Sequence, residues 1–164
     1  MSHAEEAVDA AGHPNVRKVV AALEAAGHPT TVTVLPERAH TAALAAEAQG
    51  VEVGAIANSL VFTLDGEPVL IMTSGVHRVD TALVGRELGG RLKQASADVV
   101  RASTGQPIGG VAPLGHPSPV RTFVDRALEQ YPRIWAAAGH PNTVFDTNYQ
   151  QLLRLTGGRA IEVC

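Results

Sequence analysis

The chain has 164 residues, of which 45% are apolar and 18% charged, with a net charge of −3. That is one domain's worth of sequence, apolar enough to bury a core and to exclude a disordered chain. Aromatics at 4% and a pI near 6.1 exclude a base-stacking platform or a surface that grips long stretches of phosphate backbone, so any nucleic acid must be touched locally.

The opening, "MSHAEEAVDAAGHP", is acidic and has no apolar h-region, so no secretory signal is expected there. Residues 1–12 read as a flexible leader and 13–164 as the domain. Val16, Val19, Val20 and Leu23 recur at helical spacing, with Pro14 in the first turn and Gly27 as the stop. "TTVTVL" (30–35) alternates as a strand. "TAALAAEAQG" (41–50) reads as a helix capped by Thr41 and closed by Gly50. "IANSLVFTL" (56–64), an Asp65-Gly66 turn and "PVLIMTS" (68–74) form a hairpin.

Helices follow at 80–88, with Asp80 as cap and Gly89 as stop, and at 96–103, with Ser96 as cap. "TGQPIGGVAPLGHPSP" (104–119) holds four glycines and four prolines and suits neither helix nor strand. "VRTFV" is a strand, Asp125 caps a helix "RALEQY", and "RIWAA" is a strand. Thr147 and Gln150 form a capping box that opens "NYQQLLRLTGG", and "RAIEV" closes the chain as a strand. The hairpin rules out a purely parallel array. The expected fold class is α+β: a single domain with a mixed, partly barrel-like sheet surrounded by helices. Regular elements flank 104–119 without a change in composition, so this stretch reads as an internal working loop rather than a linker.

The usual catalytic strings are missing. The sequence has no G-x-S-x-G, Walker A, G-x-G-x-x-G or H-E-x-x-H. Cys164 is the single cysteine, so no disulfide framework exists within the chain, which fits a reducing cytoplasm. The seven histidines show no metal-ligand spacing, and no metal or other cofactor is expected. The tripeptide Gly-His-Pro occurs at 12–14, 27–29, 115–117 and 139–141, at uneven intervals that exclude a structural repeat. The first two copies punctuate the first helix, and their histidines are expected to be exposed. His116 reads as a satisfied structural histidine, and His140 as a candidate site residue. Asn58 shares its predicted strand face with Ile56, Leu60, Phe62 and Leu64. A lone amide in that row either bonds to neighbouring backbone or orients a ligand at a pocket floor.

The ordered segments "HTAALAAEAQGVEVGAIANSLVF", "VLIMTSGVHRVD", "TGQPIGGVAPLGH", "RTFVD" and "IWAAAGHP" resemble the YbaK/EbsC family. These are relatives of the editing domain inserted in bacterial prolyl-tRNA synthetases. The resemblance runs from about His13 to Val163. It carries the family's G-x-x-x-P loop as Gly109, Gly110, Val111, Ala112 and Pro113.

It implies a metal-free, trans-acting hydrolase that cleaves the ester of a mischarged small amino acid on the tRNA 3′ CCA end. Backbone amides of the loop would hold the aminoacyl carbonyl and the attacking water, helped by the substrate's own ribose hydroxyl. The implied catalytic set is Asn58, Gly109, Gly110, Val111 and Ala112, and the implied substrate-binding set is Thr41, Ala42, Ser59, Leu60, Pro113, Gly139 and His140. Charged tRNA is the implied partner, with an aminoacyl-tRNA synthetase as a further one; neither DNA nor a membrane is expected. One departure stands out: Asn58 occupies the place of the family's lysine before "[S/T]-L-V". The alternatives are therefore a module that binds the 3′ end without turnover, and a hydrolase of simple amino-acid esters.

Overall fold

The structure, a computed structural model, describes residues 12–28, 30–36, 39 and 41–164. The expected leader falls almost wholly outside the described residues. Helix α1 (Pro14–Ala25) begins where predicted, with His13 as N-cap accepting the Asn15 N–H at 3.1 Å. It buries Val16, Val19 and Leu23, the face read from their spacing. Of "TTVTVL" only β1 (Thr33–Val34) pairs. Helix α2 (Ala42–Gln49) has the Thr41 hydroxyl as cap, accepting from Leu44 N at 3.1 Å, and ends at left-handed Gly50.

Strands β2 (Ile56–Leu64) and β3 (Glu67–Ser74) form the hairpin. Asp65 (φ 49°) and Gly66 (φ 86°) both adopt positive φ, the geometry that a two-residue hairpin turn requires. Helices α3 (Thr81–Leu88) and α4 (Ala97–Thr104) take the predicted caps Asp80 and Ser96. Between them lies β4 (Leu92–Gln94), too short to show a period in the sequence.

Beyond the Gly/Pro loop come β5 (Arg121–Asp125), β6 (Ile134–Ala137), β7 (Thr143–Thr147), α5 (Tyr149–Thr156) and β8 (Arg159–Ile161). Two expectations are corrected here. The segment after Asp125 is a 3₁₀ turn over Arg126–Gln130 rather than an α-helix, although Asp125 does cap it through Ala127 N at 2.9 Å. The Thr147–Gln150 capping box does not form: Thr147 ends β7, and Asn148 is the cap of α5, accepting from Gln151 N at 2.9 Å. β7 matches no element expected from the sequence, because its five residues follow a Gly-His-Pro turn without a polar/apolar alternation.

The eight strands make one mixed sheet ordered β1-β7-β6-β2-β3-β5-β8, with β4 also pairing β2. The path has two ends and does not close. One face carries Ala57, Val61, Leu70, Met72, Val124 and Ala136, packed against Val19 and Leu23 of α1, Val100 of α4 and Leu152 of α5. The opposite face is covered at two separate places. Phe62, Leu64, Ile71 and Phe123 pack with Val84 of α3, while Ile56, Trp135 and Val144 pack with Ala45 and Ala46 of α2. Both faces of the sheet therefore carry packed apolar side chains, and burying each Val, Leu, Ile, Phe or Met contributes about 1.5–3 kcal/mol.

The sheet has one interruption that positions the site. On the side away from β3, β2 pairs β6 through Ile56 and Ala57, then β4 through Phe62, Thr63 and Leu64. Asn58 to Leu60 fall between these two partners. A nine-residue strand thus offers a short stretch of unpaired edge in the middle of the fold.

Candidate active site

That gap opens into a cavity of about 340 Å³, within the range of small-ligand sites. Asn58, Ser59 and Leu60 line it from β2, Thr41 and Ala42 from the start of α2, and Gln94 and Ala95 from the end of β4. Trp135, Asn142 and Thr143 line it from β6 and the turn into β7, and Ile108, Gly109 and Val111 from the Gly/Pro loop. None of the described residues lining the cavity has a titratable side chain. Among the described residues, no three His, Cys, Asp or Glu side chains converge as a metal cluster.

The Gly/Pro loop is held by its own polar groups. Gly110 N–H donates to Pro107 O at 3.0 Å, closing a turn in which Gly109 has φ 88°, a conformation costly for any residue with a Cβ. Ala112 N–H donates to the Gln106 side-chain oxygen at 2.7 Å. The N–H groups of Gly109 and Val111 have no acceptor among the described residues, and these are the two of the four residues that line the cavity. The loop therefore divides its amides by alternation: two brace it, and two belong to the residues facing the cavity.

Gly110 is wedged against the neighbouring turn. A Cβ there would lie 2.7 Å from the His140 carbonyl carbon and from Pro141 N and Cδ. That turn is itself tied down, because Thr143 N–H (3.1 Å) and the Thr143 hydroxyl (2.6 Å) both donate to His140 O, and Leu35 N–H donates to Asn142 O at 2.6 Å.

The Gly-His-Pro copies also have structural work. His116 Nε2–H donates to Ala112 O at 2.8 Å, and burial lowers the His116 pKa, an effect only partly offset by that hydrogen bond, so the ring is neutral at pH 7. His140 Nδ1 pairs with Pro141 O at 2.6 Å, and its ring lies 5.0 Å from that of His13. His13 and His28 are half-buried rather than exposed, since His28 Nε2 reaches Asp146 O at 3.4 Å. His28 is thereby packed onto β7.

Of the residues singled out from the sequence, Thr41, Ala42, Asn58, Ser59, Leu60, Gly109 and Val111 line one cavity. Gly110, Ala112, Pro113, Gly139 and His140 do not; Gly110, Ala112 and His140 act one layer behind it, as the contacts above describe. Asn58 makes no side-chain hydrogen bond to any described residue, and Ser59 Oγ is directed at Met72 Sδ, its cross-strand partner 3.2 Å away on the hairpin face opposite Asn58.

Sequence reading missed Gln94, Ile108, Trp135, Asn142 and Thr143 as lining residues. Asn142 had a signal in principle: it follows Gly-His-Pro, and asparagine tolerates the left-handed φ of 71° it adopts here. Its Oδ1 is buried without a partner. Among the described residues, Leu60 (38% exposed) and Ile108 (62%) are two of the three large apolar side chains left exposed, and both sit on this cavity.

Comparison with known proteins is consistent with this geometry. The family model of the aminoacyl-tRNA editing domain matches residues 36–155. The uncharacterised protein YwhH of Bacillus subtilis (strain 168) is 29% identical over 135 residues, covering 81% of this chain and 86% of that protein. The proline–tRNA ligase of Nitratidesulfovibrio vulgaris (strain DP4) is 30% identical over 125 residues, which is 76% of this chain but 20% of the ligase. A crystal structure named provisionally as a trans-editing enzyme for prolyl-tRNA synthetase superposes with a TM-score of 0.87. It is 41% identical and covers 92% of this chain and 96% of the other.

Proposed function

From the premise that the chain belongs to the aminoacyl-tRNA editing domain family, we propose that it is a trans-acting deacylase, removing a mischarged small amino acid from the 3′ end of tRNA. The observation that carries this reading is the pair of amides, Gly109 and Val111, without an acceptor among the described residues, on a cavity whose described lining has no titratable side chain.

Such a cavity suits a substrate that is already activated. An aminoacyl ester needs no strong nucleophile, only a positioned water and donors aimed at the oxygen on which charge develops. In the proposed step the ester carbonyl accepts from Gly109 and Val111 N–H. The water oxygen bonds to the carbonyl carbon, and the oxyanion that forms is held by the same two donors. The bond to the ribose oxygen then breaks and the carbonyl re-forms; the proton lost by the attacking water passes to the neighbouring ribose hydroxyl, which gives its own proton to the leaving oxygen, so the products are the free amino acid and the ribose alcohol. Each oxyanion donor of this kind is worth about 10²–10³ in rate. The amino-acid side chain lies against Thr41, Ala42 and Leu60, and Asn58 orients the ribose or the ester through its amide. The reaction requires no metal, and the tRNA is touched at its charged CCA end rather than along its length, which suits a chain of net charge −3.

The decisive experiment is a deacylation panel. Purified protein is mixed with tRNAs carrying alanine, serine or cysteine noncognately, with and without a chelator. Accelerated release of at least one amino acid, unchanged by the chelator, is expected. No rate above buffer on any charged tRNA refutes the reading.

A second reading has one observation in its favour. The cavity has no cation at position 58, and a 3′-end binding module without turnover would need none. Such a module would bind an aminoacyl-adenosine analogue and release nothing.

A further inference from the structure

Gln106 is a polar side chain that the proposed reaction does not touch, yet it is only 2% exposed. Its position is set by α4. The Thr104 hydroxyl, near the helix end, donates to Val100 O at 2.6 Å and accepts Gln106 N–H at 3.1 Å. The side chain then crosses beneath the loop, where its Oε1 accepts Ala112 N–H at 2.7 Å. On the other side of the same residue, His116 Nε2–H donates to Ala112 O at 2.8 Å. One residue of the loop is thus gripped at both its amide and its carbonyl by side chains from either flank.

We propose that Gln106, with His116 as its counterpart, is the positioning residue of the donor loop: by clamping Ala112 inward it leaves the Gly109 and Val111 amides to face the substrate. Three points carry this. Ala112 is fixed at both its N–H and its C=O, and the peptide plane that carries the Ala112 N–H also carries the Val111 carbonyl, so the clamp fixes the backbone of Val111, which lines the cavity. The loop is otherwise short of backbone partners, with Gly110 to Pro107 as its own internal bond. Finally, Gln106 Nε2 is buried with no partner. An apolar side chain of similar length would fill this space without leaving a donor unsatisfied, so what the amide adds at this position is its oxygen.

The inference rests on the deacylase reading for its catalytic part and stands apart from it for its structural part; the test separates the two. Gln106→Met keeps the volume and removes the acceptor, while Gln106→Glu keeps an acceptor oxygen in either protonation state. Backbone amide exchange followed by NMR is the first readout. In Gln106→Met the Ala112 amide should exchange at least about tenfold faster, as befits a lost hydrogen bond, while the amides of Leu70 and Val124 in the central strands keep their wild-type protection. The second readout is turnover: kcat for the responsive charged tRNA should fall by about 10- to 100-fold with KM within about twofold, because the donors are misaimed rather than absent. Gln106→Glu should restore both.

Unchanged Ala112 exchange in Gln106→Met overturns the clamp. Released Ala112 exchange with wild-type kcat overturns its catalytic purpose. Loss of protection across the central strands with no rescue by Glu makes Gln106 merely structural and also overturns the proposal. If wild-type protein deacylates nothing, the proposed function falls while the exchange result still decides the clamp. Should Gln106→Met fail to fold, His116→Asn, which weakens the grip on Ala112 O, is read in the same two ways.

Discussion

Replacing Gly110 by alanine tests whether the loop works because it is braced. The new Cβ would sit 2.7 Å from two backbone atoms of His140–Pro141 and from the Pro141 ring Cδ, whereas ordinary contact begins near 3.4 Å. About 0.7 Å of separation must therefore be found, and no flexible side chain is available to yield. The His140–Thr143 turn is held by the Thr143 and Leu35 hydrogen bonds, so the loop moves instead, taking the Gly109 and Val111 amides with it. A misplacement of about 1 Å costs about a hundredfold in rate, so a loss of about 10- to 100-fold in kcat/KM is expected, equivalent to about 1.4–2.7 kcal/mol of transition-state stabilisation. Overpacking should also cost about 1–3 kcal/mol of stability. The assay is single-turnover deacylation of the responsive charged tRNA, paired with urea unfolding so that the two losses are read separately. Gly109→Ala is the contrast: its Cβ meets nothing within 4 Å, and its penalty comes from φ 88° alone. A folded Gly110→Ala protein with kcat/KM within twofold of wild type would refute the argument, because either the turn does not brace the loop or the donors are not used.

Three other outcomes are expected. The His116 pKa is lowered by burial below 6.5, so as pH falls through 6.5 the unfolded chain takes up a proton that the folded one refuses. Stability should therefore decline from pH 6.5 down to the folded-state pKa, and urea midpoints between pH 7.5 and 5 should show a smaller decline in His116→Gln. Asn58→Lys places a cation on the cavity; binding to uncharged tRNA should tighten, with a salt dependence steeper by about one unit in a log–log plot. Asn142→Gly removes a buried oxygen without a partner, worth about 1–3 kcal/mol, at an entropic cost of about 0.5–1 kcal/mol. It should raise the urea midpoint slightly while slowing deacylation, since Asn142 lines the cavity.

The local elements were legible in the sequence because their signals are local. Thr41, Asp80 and Ser96 cap the helices they precede, Gly50 and Gly89 end them, and Asp65-Gly66 turns the hairpin. Each depends on the backbone preferences of one or two residues. The Gly109–Pro113 string and the family it resembles were legible for the same reason: a loop that presents bare amides needs glycine at fixed places, and that requirement leaves a mark in the chain.

What the sequence could not express is which groups oppose each other across the fold. β4 has three residues and β1 two, and such strands exist through their partners rather than through a period of their own. Asn58 is the clearest case. Period-two alternation put it in an apolar row, and on that evidence a buried amide bonded to backbone was as good a reading as a pocket floor. The tertiary structure decided it: β6 covers β2 up to Ala57, β4 resumes at Phe62, and the open edge between them leaves Asn58 on the cavity. Likewise four consecutive loop amides look equivalent in sequence. Only the folded chain brings the Gln106 oxygen to Ala112 and His140–Pro141 against Gly110, so that Gly109 and Val111 are the two whose amides have no acceptor among the described residues.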